Sequence, residues 1–414
     1  MKTKSNVKNI RRMIEGLAEF NSTPDQGTTR VLFTEPELKA REYMKKEMAK
    51  LGLTVSEDGA GNIFAVLEGA DPSLPPVWTG SHIDTVLNAG NFDGMAGVVC
   101  GLEAVRMIKE QGIKPKRSIN VIIYTSEEPT RFGLSCLGSR ALAGVLDTES
   151  MKKLTDKDGN TLYDMLNSLG FDTSRIKDDI RKPGDVYASV ELHIEQNRHL
   201  DDAGIPIGLV RGICAPTIYA ATATGCQSHA GGTSMADRRD AFAAVCEFET
   251  VLERLARTSK GEYVTATVGC VDVFPGAVNV IPGLVKFSVD IRSIDMESKE
   301  LLMAELEKER VRIEKERNVK IELKLQNHDV PLKCDERIMD KLRNSCDENG
   351  IKYMELISGP YHDSLFVGKF APTAMIFVPS KNGISHSVDE WTDYEYLEKG
   401  TQVLADTLYQ LADE

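Results

Sequence analysis

No stretch of this 414-residue chain approaches the roughly 20 consecutive apolar residues that a membrane helix needs. The basic opening segment, MKTKSNVKNIRRMIEGLAEF, lacks the apolar centre of a secretory leader. Cysteine is sparse in pattern: the eight residues (100, 136, 214, 226, 246, 270, 334, 346) stand singly, with no C-x-x-C. That spacing excludes a disulfide-stapled scaffold and leads us to expect reduced thiols in a cytoplasmic protein. Positive charge is in deficit, with 50 Lys and Arg against 63 Asp and Glu and a net charge of −13. Such a balance argues against nucleic acid or an anionic membrane surface as a partner. Low-complexity segments and internal repeats are absent as well. What remains is 41% apolar and 27% charged residues, the composition of an ordinary globular protein. Its length exceeds what one core supports and predicts two domains, one inserted in the other.

The hydrophobic pattern changes along the chain. Residues 36–51 carry Leu38, Tyr43, Met44, Met48 and Leu51 at helical spacing, closed by Gly52. Strands are expected at 53–55 and 62–69, in PVWTGSHIDT and in SINVIIYTSEE, with a helix from Asp93 to Lys109. Strands alternating with helices predict an α/β domain with a mostly parallel sheet flanked by helices, functional residues falling where strands end. Between about 212 and 328 the order becomes β-α-β-β-α-β, the split pattern of a small open-faced, ferredoxin-like α+β sandwich. We therefore expect a catalytic domain in two segments, 1–211 and 329–414, interrupted by a domain at 212–328.

Five metal-capable side chains, His82, Asp93, Glu128, His193 and His386, sit at strand ends or helix starts across 305 positions. Three imidazoles and two carboxylates suit a pair of divalent ions sharing one bridging oxygen ligand, and the neighbouring Glu127 suits a general base. Each piece has a plainer reading. His82 and Asp84 face the same way on an extended segment, so the Asp84 carboxylate can accept the far ring proton and fix the tautomer; a core histidine is the alternative. Asp93 at a helix entrance is either a metal ligand or an N-cap. Glu127 and Glu128 end a buried strand, where adjacent carboxylates are costly unless cations hold them; an exposed acidic turn is the alternative. ASVELHIEQ places Glu191, His193 and Glu195 on one face of a strand, and NGISHSVDE presents His386 in a Ser/Gly loop.

Taken in order, GSHIDTV (80–86), NFDGMAGV (91–98), TSEEPTRFGLSCLGSRALAG (125–144), ELHIEQ (191–196), SHAGGTSMADRRDA (228–241), PGAVNVIPG (275–283), DIRS (290–293), SGPYHDS (358–364) and GISHS (383–387) resemble one family. It is that of the co-catalytic metallohydrolases of the aminoacylase and carboxypeptidase kind. The resemblance is narrower to the branch holding N-carbamoyl-L-amino-acid hydrolases, allantoate amidohydrolases and β-ureidopropionase. It implies a zinc-exopeptidase-like catalytic domain interrupted by a dimerisation domain, and two divalent ions, Zn²⁺, Mn²⁺ or Co²⁺. By resemblance His82, Asp93 and His193 ligate one ion, Asp93, Glu128 and His386 the other, and Glu127 is the general base. Peptidase relatives have a carboxylate where this chain has His193, which favours an amidohydrolase. His229, Asn279 and Arg292 match residues that bind the substrate carboxylate or the oxyanion, some across a homodimer. Gln196 and His362 match polar groups near the cleft. Pro129, Pro360 with Tyr361, and the segment GICAPT depart from the family pattern, and Tyr361 is expected to add bulk near the substrate.

The function this implies is hydrolysis of a linear ureido or amide C–N bond in a small carboxylate. An N-carbamoyl-L-amino acid would give the amino acid, carbon dioxide and ammonia. Allantoate and β-ureidopropionate are the nearest alternatives, then an aminopeptidase or aminoacylase. A non-catalytic metal-binding scaffold is the remaining one, and it would have no use for Glu127.

Overall fold

The computed structural model describes residues 3–112 and 114–414 and divides the chain into two compact units. The first comprises the chain up to Arg211 with Cys334–Leu356 and His362–Glu414; the second comprises Gly212–Lys333 with Ile357–Tyr361.

The first unit is built on a mixed sheet in the order Thr54–Glu57, Ile63–Leu67, Ile119–Ile123, Val77–Ser81, Ala188–Ile194, Thr373–Val378, Ile207–Ile213. Its centre is parallel: Val77–Ser81 pairs in parallel with Ile119–Ile123 and Ala188–Ile194, which pairs in parallel with Thr373–Val378. The margins are antiparallel, so the sheet as a whole is mixed. A short turn joins Thr54–Glu57 to Ile63–Leu67, too short for the crossover a parallel pair requires. Every residue of Ala188–Ile194 is buried, as befits a strand covered on both faces. The helix Met95–Glu110, whose small residues Ala96, Gly97 and Gly101 let it sit close to the strands, is buried along almost its whole length. The helix Tyr394–Asp413 packs against it. The periodicity at 36–51 corresponds to the helix Glu35–Lys50.

The second unit has an antiparallel sheet in the order Val271–Phe274, Leu284–Ser293, Ala215–Thr224, Lys320–His328, with Val264–Thr267 also on Leu284–Ser293. The segment read as one strand, YVTATVGCVDV, breaks around Gly269 into two pieces. These pair with the two ends of the same neighbour. The alternation in Leu284–Ser293 turns Val285, Phe287, Val289 and Ile291 into a core with Phe248 and Leu252 of the helix Ala241–Thr258. Leu302 and Leu306 of the helix Met296–Arg317 complete that core. Among the described residues no helix is long and apolar enough to cross a membrane.

Candidate metal centre

The four parallel strands of the first unit all end at one edge of the sheet, and the chain leaving each end delivers a functional side chain. His82 follows Val77–Ser81, Glu127 and Glu128 follow Ile119–Ile123, His193 lies at the end of Ala188–Ile194, and His386 follows Thr373–Val378. Open α/β sheets place their sites at this edge. Asp93 is brought in by the turn before Met95–Glu110. The cap position of that helix falls to Gly94, in the left-handed region at φ 70°, so the N-cap reading of Asp93 does not hold. A side chain on Gly94 would run into the His82 imidazole, which explains the glycine.

These residues converge in two groups that share Asp93. Its Oδ1 lies 3.6 Å from His82 Nε2 and 3.2 Å from His193 Nε2. Its Oδ2 lies 2.9 Å from His386 Nε2, which in turn lies 3.3 Å from Glu128 Oε1. All ligand atoms of each group lie within 4.8 Å of one another. The tautomers are set from behind. His82 Nδ1 lies 3.0 Å from the Asp84 carbonyl and His193 Nδ1 lies 2.9 Å from the Ile194 carbonyl, so each donates and each Nε2 lone pair turns inward. His82 Nε2 is buried without a hydrogen-bond partner, which fits a metal-ligand atom. His193 Nε2 accepts only the Gly94 amide, at 3.2 Å. This donor set fits divalent cations.

Asp84 acts differently from its expected role. Its carboxylate stands 3.7 Å from the His82 ring and instead accepts the backbone amides of Glu127 at 3.3 Å and Glu128 at 3.1 Å. It therefore fixes the direction of the paired glutamates, while its carbonyl, not its carboxylate, takes the ring proton. Glu127 Oε2 faces His82 Nε2 at 3.8 Å. Burial, with Glu128, Asp363 and Asp93 nearby, pushes Glu127 well above the carboxylate range, and burial raises Glu128 to about 7. Burial disfavours the Asp93 carboxylate, but the three imidazoles outweigh it and hold Asp93 well below its ordinary value. Asp93 in turn raises His386 to about 9; burial opposes protonation of His82 and His193, but Asp93 with Glu127 and Asp84 outweighs it at His82, and Asp93 with Glu191 at His193.

Gln196 also reaches this centre. Its Nε2 donates to Asp93 Oδ2 at 2.9 Å and lies 3.4 Å from His386 Nε2. His362 is buried rather than on the surface. Its ring packs on His193 with centroids 4.6 Å apart, and burial with His193 holds it neutral, well below its usual value. Glu191, paired by pattern with His193, is occupied by the hydroxyls of Ser81 and Ser364, while Glu195 caps the amides of His199 and Leu200.

The remaining expected residues belong to the second unit. His229 is exposed on a two-stranded ribbon where it pairs with Val280, and the adjacent Ala230 amide donates to the Asn279 carbonyl. His229 Nδ1 accepts the amides of Gly231 and Gly232, both at 3.0 Å, so the ring proton sits on Nε2 and points outward. Arg292 is one-third exposed and grips Asp290 through Nε and Nη2, its Nη1 donating to the Gly359 carbonyl at 3.3 Å. Tyr361, expected to add bulk near the substrate, donates its hydroxyl to Asp329 and accepts from Asn327 at 3.0 Å.

Two residues of the first unit escaped sequence reasoning. Glu390 accepts the amides of Phe92 and Asp93 at 2.9 and 3.1 Å and the Ser385 hydroxyl at 2.8 Å, tying the Asp93 turn to the His386 loop. Its position four residues after His386 was the available signal. Arg30, fully buried, donates to the carbonyls of Leu17, Phe20 and Ile83 and braces the segment that carries His82. Nothing in its sequence surroundings marks it.

A parallel-centred sheet that gathers two imidazole–carboxylate groups around one shared aspartate defines a metal-dependent hydrolase. Residues 78–410 match the peptidase family M20/M25/M40. The chain is 38% identical over 411 residues to a ureidoglycolate hydrolase of Arabidopsis thaliana, covering 97% of this chain and 86% of that protein. It is 38% identical over 401 residues to an N-carbamoyl-L-amino acid amidohydrolase of Geobacillus stearothermophilus, covering 97% of each. A crystal structure of an amidase of the hydantoinase/carbamoylase family from Burkholderia multivorans superposes with a TM-score of 0.89 at 31% identity, covering 100% of both chains. The chain belongs to the M20/M25/M40 family, and it is an amidohydrolase.

Proposed function

We propose that this protein is a two-metal amidohydrolase that cleaves the terminal C–N bond of a linear ureido carboxylate, with N-carbamoyl-L-amino acids as the first substrate class. The observation that carries the reading is Asp93, which offers one oxygen to His82 and His193 and the other to His386. Names of the relatives support the substrate class. Bound between these residues, a pair of Zn²⁺, Mn²⁺ or Co²⁺ ions supplies a polarised carbonyl and a water of lowered pKa. His82, Asp93 and His193 hold one ion, and Asp93, Glu128 and His386 the other.

Glu127 Oε2 takes the proton of the attacking water and delivers it to the leaving nitrogen, a role worth about 10²–10⁴ in rate. His229, with its proton on Nε2, donates to the carbonyl oxygen as charge grows there. Arg292 binds the substrate carboxylate with Asn279, exchanging part of its grip on Asp290 for the ligand. Gln196 turns its amide from Asp93 toward the substrate, and neutral His362 lines the same side. The net reaction adds one water and releases the amino acid, carbon dioxide and ammonia. The protein works in the cytoplasm as a homodimer joined through its second unit.

Ammonia and amino-acid release from metal-stripped protein reloaded with each ion tests this. The panel holds N-carbamoyl-L-amino acids, allantoate, β-ureidopropionate, ureidoglycolate and dipeptides. Turnover of N-carbamoyl amino acids is expected. Turnover confined to another ureido acid would reassign the substrate, and cleavage of dipeptides alone would overturn the reading.

A further inference from the structure

Glu127 has to present one carboxylate oxygen in a fixed direction, and its three rotatable side-chain bonds work against that. Oε2 faces the side where His82, Asp93 and His193 converge. Oε1 points the other way, and the Sγ of Cys136 lies 3.6 Å from it. Cys136 is fully buried and is not in a disulfide. Burial and the Glu127 and Asp363 carboxylates push its thiol well above the usual value, so it carries its proton in neutral solution.

The backbone of Cys136 is committed to the same glutamate. Its amide donates to the Glu127 carbonyl at 2.9 Å, and the amides of Leu137 and Gly138 continue this pairing onto Ser126 and Thr125. The residue adopts a left-handed conformation, φ 58° and ψ 40°, that a non-glycine side chain resists. Glycine would take that conformation freely but would bring no donor. An apolar filler of the same volume would bring none either. The cysteine side chain both fills the space and donates to Oε1.

We infer that Cys136 is a positioning residue for the general base: its thiol holds Glu127 Oε1, so that Oε2 stays turned toward the reacting water. The inference rests on the reading of Glu127 as the base. An S–H···O bond is weak, but a partner that orients a catalytic group shows in rate more than in stability, about tenfold by analogy with residues that orient metal ligands.

The test is a double-mutant cycle on the metal-loaded enzyme, with kcat, KM and bound metal measured for Cys136→Ala, Cys136→Ser, Glu127→Gln and Cys136→Ala/Glu127→Gln. Expected are a tenfold lower kcat for Cys136→Ala with KM and metal content unchanged, and recovery to near the parent rate in Cys136→Ser, whose hydroxyl donates in the same place. Cys136→Ala should add nothing once Glu127 is Gln. Parent-like kcat in Cys136→Ala, or a serine variant as slow as the alanine one, beside an inactive Glu127→Gln, would overturn the role of Cys136. An active Glu127→Gln would instead remove the base reading on which it stands.

Discussion

The two units hold their functional residues in opposite ways. In the first, His82, Asp84, Asp93, Glu127, Glu128, His193 and His362 are buried, and hydrogen bonds to backbone or to one another set their directions. In the second, His229 and Asn279 lie exposed on a ribbon and Arg292 is paired with its own neighbour Asp290. The first arrangement is already built for chemistry, and the second is a set of donors available for a ligand. Groups that do chemistry benefit from preorganisation, whereas groups that recognise a carboxylate can be solvated until it arrives. The contrast matches the division of labour proposed above, with metal binding and proton transfer in one region and substrate capture in the other.

The largest expected effect is that of Asp93→Ala, which removes one oxygen ligand from each group. Bound metal measured by elemental analysis should fall with the activity, and retention of two equivalents would break the assignment of the first unit. Glu127→Gln comes next, with kcat lower by about 10²–10⁴ and metal content intact. Arg292→Ala sharpens the other side of the contrast. Its kcat/KM for carboxylate substrates should fall about 100-fold, the scale of a lost charge-assisted pair, with metal content and the response to pH unchanged. A metal loss in that variant would show that the two regions are not separable in this way.

Metal uptake should also depend on pH. The carboxylates of the centre hold His386 at about 9 and raise His82 and His193. A cation has to displace those protons, so apparent affinity strengthens as pH rises from 6 toward 9, by about tenfold per pH unit for each proton released. Calorimetry in two buffers of different ionisation heat reads the proton count, and a pH-independent affinity would contradict it. The smallest effect is that of Tyr361→Phe, which loses the hydroxyl shared with Asp329 and Asn327 and lowers stability by about 1 kcal/mol. Its kinetics should match the parent; a changed substrate preference would restore the expectation that Tyr361 shapes the pocket.

The ligand set was readable because histidine is rare here: of seven in the chain, His82, His193 and His386 fall at the ends of apolar strands or in a Gly/Ser loop beyond one. The parallel centre of the sheet was readable for the same reason, as continuous apolar runs mark strands covered on both faces. The antiparallel margins were not, because hydrophobic pattern sets burial and leaves strand direction open. Asp84 was assigned to the wrong partner since its spacing from His82 is local, whereas its actual donors, the amides of Glu127 and Glu128, lie more than forty residues away. Arg30 escaped because it acts on backbone carbonyls, whose positions carry no residue signature, and Glu390 acts mainly on backbone amides, with only its place four residues after His386 to mark it.

Four non-glycine residues around the centre, Ser126, Cys136, Gln196 and His386, hold positive φ angles of 52–58°. Each such backbone costs about 1–3 kcal/mol and persists only where the surroundings enforce it. One route to a more heat-resistant version of this protein therefore runs through its active centre. Glycine at Ser126 or Gln196 would relieve strain and raise the melting temperature while loosening the turn that aims Glu127 or the amide that reaches Asp93. Stabilisation campaigns guided by heat alone would drift toward sturdier, slower enzymes, and those that also score turnover would have to leave these four positions untouched.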